Sequence, residues 1–70
     1  SGVMHDLNRF AVQQNATLSH VQFDETEKHG LYHLSAVAVF RGGHPQADQA
    51  VFLEKLGSNP NLRKLETTQY

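Results

Sequence analysis

Residues 31–42, LYHLSAVAVFRG, form a strand-like run whose middle is apolar on both alternating faces. Tyr32, Leu34, Ala36, Ala38 and Phe40 share one face, and Leu31, Val37 and Val39 fall on the other. Such a strand belongs inside a sheet and not at its edge. That demand is severe for a chain of 70 residues, because a chain so short buries only about 60% of the surface its unfolded form exposes and supports one core at most. With no cysteine there is no disulfide or thiolate metal site to brace the fold. One small core must therefore hold it, and oligomerisation is an expectation from the outset.

The rest of the chain supplies few partners for that strand. Val3, Leu7, Phe10 and Ala11 recur at i, i+4, i+7 and i+8, which predicts an amphipathic helix over about 3–14. Asn15 is placed to stop it, since asparagine tolerates the left-handed conformation. TLSHVQFDE, with Val21 and Phe23 on one face and His20 and Gln22 on the other, reads as a half-buried first strand, and TEKHG as a hairpin turn. Pro45 suits the first turn of a second helix, which runs to about residue 56. Ala47, Ala50, Val51, Phe52, Leu53 and Leu56 give this helix a wide apolar face, and Gly57 is placed as its cap. SNPN turns a corner into LRKLETTQY, the expected third strand, with Leu62 and Leu65 on opposite faces.

The order αββαβ predicts an α+β sandwich of two layers, ferredoxin-like, over residues 1–70 as a single domain. One strand of the usual four is missing. A right-handed crossover between strands two and three leaves a slot, to be filled by a segment outside these residues, by a second copy or by another protein. The residues beside the slot, Val37, Val39, Phe40, Leu62 and Leu65, are the expected interface.

Chemistry is hard to find. Six basic and seven acidic side chains give a net charge of −1, no field for capturing a phosphate backbone, so nucleic acid is not an expected partner. The double-stranded-RNA-binding module also begins αββ, but its second helix starts with lysines where this one reads HPQADQ. Apolar runs fall short of a membrane span, and no targeting peptide is visible. The opening Ser-Gly is what a cleaved tag leaves, consistent with a piece excised from a longer, membrane-anchored protein. His29 and His33 flank the turn without a recognised ligand spacing, so no metal site is expected; His5, His20 and His44 sit at helix starts and on a polar strand face. Ser19, Ser35 and Ser58 lack a nucleophile's setting, and Asp24, Glu25 and Glu27 read as a solvated strand end. RGGHP matches no phosphate-loop fingerprint and reads as a strand-to-helix turn; NAT at Asn15 is a formal glycosylation triplet. No catalytic residue and no cofactor is therefore expected.

Tyr32, Gly43, Phe52, Leu53, Leu56, Pro60, Leu62 and Leu65 occupy places similar to those of the PilO family, periplasmic domains of type IV pilus and type II secretion inner-membrane proteins. That resemblance implies a ferredoxin-like, non-enzymatic domain that dimerises with itself or a homologous subunit in an assembly platform. It would sit in the periplasm and touch the inner membrane only through segments outside these residues. LGSNPNLRKLE also resembles the close of the ACT-like cytoplasmic domain of MgtC/SapB membrane proteins, which implies a regulatory role instead.

Overall fold

The first helix forms over Gly2–Gln13 (α1) in a computed structural model that describes residues 2–26, 28 and 30–70. Its stripe follows the expected period, with Leu7 and Ala11 buried and Val3 and Phe10 half-buried. Asn15 ends it in the left-handed region, φ 58°, and its N–H donates to the Val12 carbonyl at 3.3 Å. The chain enters β1 (Ala16–Glu25) at the next residue.

β1 pairs antiparallel with β2 (Tyr32–Phe40), Ala16 opposite Phe40 and Glu25 opposite Tyr32. The hairpin closes as expected: the Thr26 N–H donates to the Leu31 carbonyl at 3.0 Å, the Leu31 N–H to that of Lys28 at 3.1 Å, and Gly30 has φ 82°. Glu27 and His29 lie outside the described residues. Between Ser19 and Gln22 the register shifts by one residue, and His20 takes φ 52°. This is a β-bulge, which bends a strand and sharpens its twist. Nothing in the local sequence announces it, since no glycine or asparagine marks the left-handed position.

α2 (Pro45–Gly57) starts with its proline in the first turn, where the missing N–H costs nothing. The expected cap is corrected by one residue. Gly57 remains inside the helix, and Ser58 ends it in right-handed conformation, its N–H and Oγ both donating to the Glu54 carbonyl, at 3.1 and 2.9 Å. The SNPN corner is present: the Asn61 N–H donates to Asn59 Oδ1 at 2.9 Å, and the Leu62 N–H to the Asn59 carbonyl at 3.0 Å.

The third strand is not formed. Residues 62–70 carry no regular structure, so the order is αββα and the sheet has two strands. A strand there needs a ladder, and LRKLETTQY has neither clean alternation nor a turn that delivers it to the edge of β2. β2 is consequently an edge strand within this chain, against its composition.

α1 packs on β1, α2 on β2, and the helices touch each other. Leu7, Ala11 and Phe52 are the buried centre, and Met4, Leu18, Leu34, Phe40, Leu53 and Leu56 close around them. Ala47, Ala50 and Val51, expected in that face, stay exposed as a second stripe on α2. The helices are also too short for the sheet. Twelve helical residues span about 18 Å, whereas nine or ten strand residues reach roughly 30 Å, and the molecule measures 41 × 22 × 19 Å. The turn end of the hairpin therefore projects as an arm beyond its helical cover.

Candidate interaction surface

Of the five expected interface residues, three lie on β2, divided between its two faces, and two follow the corner after α2. Val37 and Val39 stand on the open face of the sheet, 38% and 40% exposed. Phe40 points the other way, half-buried with its ring against Phe52, and so belongs to the core of its own chain. Leu62 is half-buried just past the corner, and Leu65 is exposed. Among the described residues, no backbone hydrogen bond joins residues 63–70 to either strand.

The structure instead draws attention to the arm. Phe23 is opposite Leu34 in the register, which puts it on the helix side of the sheet, yet it stands outside the core cluster that Leu34 joins. Its ring stacks on that of Tyr32 with centroids 5.0 Å apart and planes 12° from parallel. Both rings and Val21 remain 41–55% exposed. Sequence reading placed Phe23 and Tyr32 on strands but gave them no surface role; the signal available was that the strands are longer than the helices that must cover them.

The two edges of the sheet are unlike. β1 carries the bulge, and its open-face residues are Thr17, Ser19, Gln22 and Asp24, a polar series. β2 runs without a bulge of its own, and turns Val37 and Val39 to the open face and Leu34, Ala36, Ala38 and Phe40 to the helices. A bulged, polar strand is how natural sheets blunt an edge; β2 has none of those devices.

Polar chemistry is thinly spread. A shallow concavity of about 470 Å³ on the open face is lined by Gln22, Asp24, Glu25, Thr26, His33 and Ser35, and another of about 380 Å³ lies between α1 and the corner after α2. Among the described residues no three histidines, aspartates or glutamates converge as metal ligands, and no helix is long and apolar enough to cross a membrane. His33 faces Asp24 across the ladder, whereas His29 lies outside the described residues. In RGGHP, a Cβ on Gly42 would lie 2.8 Å from Asp48 Oδ2 and 3.0 Å from Asn15 Nδ2. The glycine lets the strand-to-helix turn close against the end of α1, where the Arg41 N–H donates to the Asn15 carbonyl at 3.1 Å.

Compared with known protein families, curated proteins and solved structures, the chain finds no match.

Proposed function

We propose that this chain is a non-enzymatic interaction domain that becomes a complete ferredoxin-like sheet only when another polypeptide, a second copy or a homologous subunit, adds to it. The observation behind this reading is β2, a strand with the composition of a sheet interior that has one hydrogen-bonded neighbour in its own chain. Only three of the described residues are buried, a further reason to look for stabilisation between chains.

The setting we favour is the periplasmic assembly platform of a pilus or secretion system, anchored to the inner membrane by segments outside these residues. Its support is the resemblance carried by Tyr32, Gly43, Phe52, Leu53, Leu56 and Pro60. Tyr32 opens β2, Gly43 lies in the turn before α2, and Pro60 in the corner after it. Sedimentation velocity over a wide concentration range tests the interaction, with a reversible shift from monomer to dimer expected. A chain that stays monomeric throughout, and also fails to bind a homologous subunit from the same genome, would overturn the proposal. The setting has its own check: the parent gene should encode one membrane span and a coiled coil upstream, and several spans would point to an MgtC-like regulator instead.

A further inference from the structure

The geometry points to a two-fold dimer in which β2 of one copy pairs antiparallel with β2 of a second, making one four-stranded sheet with order β1-β2-β2-β1. This inference rests on the reading above and adds to it the edge, the symmetry and the occupant.

The chain exposes more surface than a compact monomer of its mass. A compact folded monomer of this mass exposes about 4,400 Å², whereas this 7.8 kDa chain exposes 5531 Å². The excess, roughly 1,100 Å², exceeds the share of about 800 Å² that each partner contributes to a standard stable interface. Residues 63–70 are all exposed and account for part of it; on and beside β2, Phe23, Tyr32, Val37 and Val39 are 38–55% exposed.

The two edges of the sheet also differ in their fitness for pairing. Added strands need a flat, regular ladder, and the bulge at His20 and Val21 interrupts β1 at its midpoint. β2 is regular over nine residues, and its middle residue is Ala36, small and exposed. An antiparallel pair centred there sets Ala36 against Ala36 and Tyr32 against Phe40 of the second copy. Helix-facing residues meet helix-facing residues, so the pleat is in phase across the join.

Pairing of two copies also covers the arm. A two-fold axis through Ala36, perpendicular to the sheet, keeps all four helices on one face. Each uncovered arm then lies beside the helix-covered base of the other copy. Tyr32, on which Phe23 stacks, gains Phe40 of the second copy as its opposite across the new ladder. The same pairing is isologous and closed, so it ends at two copies.

Because the chain has no cysteine, a single introduced one reports the contact unambiguously. Cα atoms opposite each other in an antiparallel pair are about 4.5–5.5 Å apart, within disulfide range. Ala36→Cys should keep the wild-type circular dichroism and, under mild oxidation, form covalent dimer about tenfold or more faster than Val21→Cys at the midpoint of β1. If the wild type sediments as a dimer but Val21→Cys cross-links as fast or Ala36→Cys does not cross-link, the β2 edge is wrong while the interaction domain stands. If the wild type is monomeric and neither variant cross-links, the second copy is excluded and only a homologous subunit remains to fill the edge.

Discussion

Phe40 meets Phe52 edge to face, ring centroids 5.5 Å apart and planes at 73°, and this contact is what fastens β2 to α2. Phe52 is 4% exposed and touches both layers, so truncating it empties the centre of a core whose other buried members among the described residues are Leu7 and Ala11. Phe52→Ala should cost about 3–5 kcal/mol, against a total on the order of 4–10 kcal/mol for a domain this long. Loss of the cooperative thermal transition by circular dichroism is the expected result; a near-native midpoint would place the core elsewhere.

Adjacent glycines in the turn before α2 should respond in opposite directions. Gly42 has no room for a methyl group, with Asp48 Oδ2 at 2.8 Å and Asn15 Cβ at 3.1 Å, so Gly42→Ala must push the end of α1 away. A loss of about 1 kcal/mol or more is expected from such overpacking. Gly43 has nothing within 4 Å and no positive φ. Gly43→Ala should therefore gain about 0.4–1 kcal/mol by restricting the unfolded chain. Urea midpoints of the two variants, compared with wild type, decide this.

The helices and the hairpin were legible because their signals are local. Val3, Leu7, Phe10 and Ala11 specify one stripe, Asn15 its end, and Pro45 the next beginning, each within a few residues. The features that escaped are set by the competition between segments. Residues 62–70 follow a corner that suits a strand, but their alternation is weak and among the described residues no ladder includes them. The bulge at His20 follows from fitting β1 to β2 over ten residues, and Phe40 turns inward because Phe52 waits beneath it. The uncovered arm is a difference of two lengths, which no single stretch displays.

The corner after α2 is tied to α1 by a hydrogen bond that spans 53 positions: Asn59 Nδ2 donates to Asp6 Oδ2 at 2.9 Å in a partly buried setting. Asp6 Oδ1 also accepts from Arg9 at 2.9 Å, but the Arg9 side chain is 50% exposed. Asn59→Ala should cost about 1.5 kcal/mol, since it removes a bond to a charged acceptor and the Asn61 turn with it. Arg9→Ala should cost about 0.5 kcal/mol, as exposed ion pairs do. Chemical denaturation of both would expose an inverted order, which would mean that the corner is not anchored through Asp6.

Leu65 should matter little to the isolated chain. It is 41% exposed in a segment with no regular structure. Leu65→Ala should shift stability by less than about 0.5 kcal/mol, as should Lys28→Ala at the turn. Measured at concentrations where the chain is monomeric, a larger loss for Leu65 would show that residues 62–70 pack on the domain more firmly than their exposure implies.

Phe23 and Tyr32 offer the sharpest separation of folding from association. Their stack lies outside the cluster of Leu7, Ala11 and Phe52, so removing one ring takes away a cross-strand aromatic contact of about 0.5–1.5 kcal/mol without opening the core. In the monomer, Phe23→Ala should speed amide hydrogen exchange at residues 22–25 and 32–35 and leave the α1 and α2 amides at wild-type rates. In the proposed dimer Tyr32 stands opposite Phe40 of the second copy, so loss of the ring stacked on it should also shift the monomer–dimer midpoint to about tenfold higher concentration, the equivalent of roughly 1.4 kcal/mol. Local fraying with an unchanged dimer midpoint would remove the arm from the interface. An intact arm with a weakened dimer would mean that Phe23 acts wholly between chains, its stack on Tyr32 contributing nothing to the hairpin.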